Sequence, residues 1–188
     1  DLSSQSFISK YRKVKQENKS YFQIVFDKTP FYGESGGQVG DTGFIKFDNN
    51  SIPIVDTIKE NDLIIHVTKK IPGNLNQKFL ISVDSEKRFL ISNNHTATHL
   101  LHSALREILG DHVIQKGSLV NEKYLRFDFS HFSKIELKTL SQIEFLVNKK
   151  IRENINLEYL ENISLSKAKK MGAMSLFGEK YGEKVRVV

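Results

Sequence analysis

Three histidines, His95, His99 and His102, stand within eight residues in the run Asn94-His95-Thr96-Ala97-Thr98-His99-Leu100-Leu101-His102. At roughly 100° per residue on a helix they fall within about 60° of one another, with Ala97, Leu100, Leu101, Ala104, Leu105 and Ile108 centred on the opposite side. Imidazoles one turn apart suit a divalent metal, because neutral ring nitrogens at i and i+4 converge on one ion. An ordinary solvated helix face would carry the same stripe. Zinc also needs three or four ligands, so further partners must come from elsewhere.

A second candidate is Thr29-Pro30-Phe31-Tyr32-Gly33-Glu34-Ser35-Gly36-Gly37-Gln38-Val39-Gly40-Asp41-Thr42-Gly43, with five glycines in eleven residues. Such density marks backbone that turns sharply or admits a ligand close to its N–H groups. The spacing is neither that of a P-loop nor that of a dinucleotide fingerprint, which argues against nucleoside triphosphate chemistry. Read alone, the run equally fits a pair of tight turns between strands.

The elements that must position these residues change character along the chain. Phe7–Tyr11, Tyr21–Phe26, Phe44–Phe47, Ile52–Ile58, Leu63–Val67 and Phe79–Val83 read as short strands separated by turn residues, which predicts a small antiparallel barrel or curled sheet. Lys10, Arg12, Lys13 and Lys15 fit the protection of an exposed edge strand or a solvated loop, with a nucleic-acid contact as the alternative, and His66 fits a structural or surface position better than a ligand. At Asp84-Ser85-Glu86 the period changes from two to 3.6 behind an N-cap, and a helix follows to Gly110, with a conceivable break at Ser92-Asn93-Asn94. A hairpin is expected over 112–129, in which Leu125, Phe127 and Phe129 alternate with Arg126 and Asp128. His112 and His131 read as structural. Lys134–Asn154 reads as an amphipathic helix with Leu137, Leu140, Ile143, Phe145, Leu146 and Ile151 on its core side. Leu157–Leu160 suggests a strand, Ser164 caps a short helix to Lys170, and the chain ends in strand-like sequence. Two parts are expected, 1–84 and 85–188.

Composition narrows the function. The 188 residues are 39% hydrophobic, enough for a real core, and contain no cysteine. Thiolate zinc ligands within the chain are excluded, and a cytoplasmic setting is the default expectation. No run of 18 apolar residues predicts a membrane span. The formal charge of +6, from 28 Lys+Arg against 22 Asp+Glu, favours a polyanionic partner. The start at Asp1-Leu2-Ser3-Ser4, without Met, and the end inside a strand-like run suggest a piece of a longer protein.

Five stretches, in order, resemble the editing domain of alanyl-tRNA synthetases: Thr29–Gly43, Asn94–His102, Gln115-Lys116-Gly117-Ser118-Leu119-Val120, Leu125-Arg126-Phe127-Asp128-Phe129-Ser130-His131, and Gly172-Ala173-Met174 through Val188. Free-standing tRNA-Ala deacylases share the Gly-Gly-Gln and His-x-x-x-His blocks, and the threonyl enzyme's editing domain shares the second. The Arg-Phe-Asp-Phe strand and the Phe-Gly-Glu-Lys-Tyr run at 177–181 favour the synthetase.

The resemblance implies an α+β fold, an N-terminal antiparallel β-barrel followed by an α+β half with helices on an antiparallel sheet. It implies hydrolysis of the ester joining serine or glycine to the acceptor end of tRNA-Ala, with no membrane or DNA partner. His95 and His99 match two of four zinc ligands, the others being expected in a Cys-x-x-x-His motif beyond Val188. Thr98 and Gln115 match catalytic-pocket positions, and Gly36, Gly37, Gln38 and His102 are assigned to substrate binding, His102 alternatively orienting a ligand. ATP and magnesium are implied only for a catalytic domain outside this chain. A free-standing deacylase, or a zinc-poor tRNA-binding module without activity, are the alternatives.

The chemistry accounts for such a site. A small apolar pocket separates amino acids differing by one methyl or hydroxyl only about ten- to two-hundred-fold, so a second sieve is needed. Polar groups satisfied by a serine hydroxyl but orphaned by alanine's methyl would supply it, at about 1 to 3 kcal/mol per buried group.

Overall fold

A computed structural model describes residues 1–16, 19–173 and 182–187. The chain divides into two compact units, residues 1–96 with 118–126, and residues 97–117 with 127–188.

The first unit is built on seven antiparallel strands: β1 (Ser3–Ser6), β2 (Ile8–Gln16), β3 (Lys19–Phe26), β4 (Gly43–Phe47), β5 (Asn50–Glu60), β6 (Leu63–Thr68) and β7 (Phe79–Val83), in spatial order β1-β7-β4-β5-β6-β3-β2. Alternation of buried and less buried residues is clearest in two of its strands. In β4 and β7 every second residue, Gly43, Ile45, Phe79, Ile81 and Val83, is buried. With Ile24, Phe26, Phe31, Ile52 and Ile54 these apolar residues form one core. The four turn-bounded strand segments read downstream of the first hairpin, and that hairpin itself, lie where expected.

Two details differ. Ser3-Ser4-Gln5-Ser6 has no apolar signal, yet it pairs with Ser82 to Phe79 of β7 through its backbone. The sheet is the curled one of the two forms expected, with β1 and β2 as its edges, and strand pairing among the described residues does not close it into the barrel that the resemblance implied. The cation-rich β2 occupies an edge, as its lysines suggested.

Helix α1 (Ser85–Leu109) starts at the predicted cap. The Asp84 carboxylate accepts from the Lys87 N–H at 3.0 Å, and Gly110, at φ 108°, ends the helix in a conformation that favours glycine. Ser92-Asn93-Asn94 does not interrupt it. The helix runs on into the second unit, as do the two strands of the next hairpin, β8 (Gln115–Val120) and β9 (Leu125–Phe129).

In the second unit, Ala104 and Leu105 of α1 pack with Val113 and with Ile143 of α2 (Leu137–Glu153), and Phe127, Phe129, Leu146 and Val147 flank them. The core side expected for α2 is too broad. Leu137 is 82% exposed and Phe145 65%, and Leu140 and Ile151 are also exposed. Only the stripe through Ile143, Leu146 and Val147 meets the core. Strands β10 (Leu160–Ser164) and β11 (Lys184–Val187) pair antiparallel, and Ser164 caps α3 (Leu165–Lys170) by accepting from the Lys167 N–H. Leu160 therefore begins a strand where 157–160 was expected to be one. The Phe-Gly-Glu-Lys-Tyr run at 177–181 lies outside the described residues. No helix among the described residues is long and apolar enough to cross a membrane.

Candidate functional site

In the first unit the glycine-rich segment between β3 and β4 is held down by polar groups. Asp41, 1% exposed, accepts from the Tyr32 N–H at 2.6 Å and is paired with the Arg88 guanidinium from the first turns of α1. Arg88 also donates to the Pro30 carbonyl at 3.0 Å, so one side chain ties both ends of the loop to the helix. The hydrogen bond to Asp41 raises the Arg88 pKa above its ordinary value, against the cost of burial. Thr57 Oγ1 donates to the Asp41 carbonyl at 2.8 Å.

Beneath the loop, His66 is fully buried between the edges of Phe26 and Phe31. Its Nδ1 bonds the Ile24 carbonyl at 3.1 Å and its Nε2 the Thr29 hydroxyl at 2.8 Å. A carbonyl only accepts, so Nδ1 carries the proton and Nε2 takes the hydroxyl's. Burial pushes His66 down to about 4, which keeps it neutral. Its role is structural, as expected.

The loop reaches the histidine stripe through Gln38. This side chain is 7% exposed, and its Oε1 lies 2.6 Å from His95 Nδ1. The backbone around it turns at Gly36 (φ 58°) and Gly37 (φ 82°) and joins the tip of the β8–β9 hairpin: Val39 N–H donates to the Val120 carbonyl at 3.1 Å, and Val120 N–H to the Gly37 carbonyl at 2.8 Å. A Cβ at Gly37 would stand 2.3 Å from Ser118 Oγ, and one at Gly40 only 1.8 Å from the Thr57 carbonyl oxygen. Asn94, next to His95, donates from its side chain to the Asn121 carbonyl at 2.8 Å. Gly36, Gly37, Gln38 and His95 are thus brought together, and the glycine density serves close backbone approach as well as turning.

Thr98, His99, His102 and Gln115 belong to the second unit. Thr98 is buried on α1, His99 is exposed one helical turn beyond His95, and Gln115 opens β8 half-buried. His102 does not sit on a solvated face. It is 7% exposed, packed 5.0 Å from the Phe127 ring, and its Nε2 is buried without a hydrogen-bond partner. Burial lowers its pKa, a bond to the Val113 backbone opposes this, and the charges of Arg106 and His99 add to the lowering. His112 Nε2 and His131 Nδ1 bond each other at 2.9 Å with stacked rings, a structural pairing in keeping with the reading of both.

Among the described residues no three His, Asp or Glu side chains gather where they could share an ion. His95, in the first unit, and His99, in the second, both belong to α1, and two imidazoles alone fall short of a complete tetrahedral site. The residues that local pattern could not reveal are Asp41 and Arg88, whose pairing joins positions 47 apart and has no sequence periodicity.

Residues 3–88 match the family model described as tRNA synthetases class II (A). The chain is 54% identical over 187 residues to an alanine–tRNA ligase of Cytophaga hutchinsonii, covering 100% of this chain and 21% of that protein. It is 54% identical over 181 residues to the alanine–tRNA ligase of Bacteroides thetaiotaomicron, covering 96% of this chain and 21% of the relative. Against that of Christiangramia forsetii it is 51% identical over 189 residues, 100% of this chain and 22% of the relative. The chain is therefore similar, along its whole length, to about one fifth of the length of alanine–tRNA ligases.

Proposed function

We propose that this chain is the editing module of an alanine–tRNA ligase and hydrolyses the ester joining serine or glycine to tRNA-Ala, with zinc held in part by His95 and His99. The observation that carries the reading is His95 itself: it lies one turn before a second histidine, and its ring is anchored through Nδ1 by a buried glutamine. A bare solvated stripe would not need that anchor. Similarity to alanine–tRNA ligases over the whole chain supports the substrate class.

In this reading the two remaining zinc ligands lie outside the described residues. Bound zinc supplies Lewis acidity or a fixed position for water. The chain's own residues do the selecting. Thr98 and Gln115 carry a hydroxyl and a carboxamide of the kind that can bind a serine hydroxyl, a contact alanine's methyl cannot make. Net positive charge favours the approach of the tRNA backbone.

The test is deacylation by the full-length protein. Ser-tRNA-Ala is expected to be hydrolysed well ahead of Ala-tRNA-Ala, and Thr98→Val to narrow the difference by roughly 5- to 150-fold, the equivalent of about 1 to 3 kcal/mol for a lost hydrogen bond to substrate. Equal rates on both substrates in the unaltered protein would refute the reading.

A further inference from the structure

We infer that Gln38 is a positioning residue, and that the glycine-rich loop serves to press its carboxamide oxygen onto His95 Nδ1 so that Nε2 becomes the nitrogen presented to a metal. The inference deepens the proposed function, since it concerns the same histidine, but its first step stands on geometry alone.

An amide oxygen can only accept a hydrogen bond, so the 2.6 Å contact between Gln38 Oε1 and His95 Nδ1 requires the proton on Nδ1. In a neutral imidazole the lone pair then resides on Nε2. A histidine in solution mostly carries its proton on Nε2, so this tautomer is imposed by the protein. The same bond fixes the ring's rotation, the job an outer partner performs for a metal-bound histidine.

The surroundings indicate that the contact is built and not incidental. Gln38 is 7% exposed, so its carboxamide gives up water for this bond. Its backbone is tied on both sides: Gln38 N–H donates to the Ser35 carbonyl at 3.0 Å, Ser35 N–H to the Gln38 carbonyl at 3.2 Å, and Val39 and Gly37 join Val120. The loop can lie this close only because positions 37 and 40 lack side chains, as the 2.3 Å and 1.8 Å approaches of a hypothetical Cβ demonstrate. At the other end, Asn94 fixes the helix turn that carries His95 to the hairpin turn at Asn121. Both ends of the hydrogen bond are therefore held within one compact unit. The oxygen of the carboxamide assigned to the substrate on sequence grounds is engaged with the histidine.

Two readouts on full-length protein test this. In metal-free protein with 15N-labelled histidine, with His95→Gln to assign the signals, His95 is expected to show the Nδ1–H tautomer, and Gln38→Met to shift it toward Nε2–H. Zinc affinity, measured by chelator competition, is expected to fall roughly 10- to 100-fold in Gln38→Met. Gln38→Glu, whose carboxylate still accepts from Nδ1–H, is expected to retain it within a few-fold. An unchanged tautomer in Gln38→Met overturns the inference, as does zinc affinity equal to the unaltered protein's. If the unaltered protein binds no zinc dependent on His95, the metal reading fails, and the tautomer measurement still decides the role of Gln38.

Discussion

The two compact units solve the burial problem differently. The first has nine buried apolar side chains in one cluster, and its polar interior is paired: Asp41 with Arg88 and Tyr32, His66 with Thr29 and Ile24. The second has a cluster of four, Ala104, Leu105, Val113 and Ile143, and leaves Leu137, Phe145, Ile155 and Leu157 more than half exposed. Its buried histidine, His102, has an unsatisfied Nε2. The first unit is packed around paired polar groups, and it carries Gln38, whose side chain bonds His95. The lesson is that the candidate metal ligand takes its order from the strand-rich part and its glycine-rich loop, not from the helix alone.

That contrast can be broken most severely at Asp41. Asp41→Ala leaves the Arg88 guanidinium without its buried partner and frees the loop, and is expected to cost about 3 to 5 kcal/mol in urea unfolding. The matching change in the second unit, Asp111→Ala, removes an ion pair to Arg106 in which Asp111 is 94% exposed, and should stay below about 1 kcal/mol. Similar losses at both would erase the distinction.

Within the second unit, Ile143→Ala should cost about 2 to 5 kcal/mol because it opens a void in a small core. Leu137→Ala, at a site 82% exposed, should change stability by no more than about 0.5 kcal/mol. Thermal unfolding of the pair maps how narrow the packed stripe of α2 is.

A smaller effect follows pH. His66 titrates near 4 in the fold against an ordinary 6.5, so between those values the unfolded chain binds the extra proton. Stability from this group is fully present above about pH 6.5 and is lost as pH falls toward 4, by up to about 3 kcal/mol. Unfolding free energy measured from pH 7 to pH 4 should show the slope, and His66→Gln should remove that part of it.

Much of this was legible in the sequence. Alternation in 44–47, 52–58 and 79–83 announced a two-faced sheet, and Asp84 and Gly110 bracketed α1 because capping chemistry is local. What stayed hidden was set by tertiary context. Strand β1 is written Ser-Ser-Gln-Ser and exists because β7 offers a backbone edge. Leu137 and Phe145 have the helical period but meet nothing that covers them among the described residues. The candidate ligand His95 could be picked from spacing, whereas its bond to Gln38 spans 57 positions and follows from the fold.

A metal held by His95 and His99 is the central feature of the proposed site. Both positions lie within α1, where alanine is the best helix former, so His95→Ala and His99→Ala should leave the helix intact. Zinc content of the purified full-length protein, measured per chain beside each variant, is the direct test. The account predicts that either substitution removes one equivalent or weakens its retention against a chelator by at least roughly tenfold; unchanged stoichiometry and retention in both variants would contradict it.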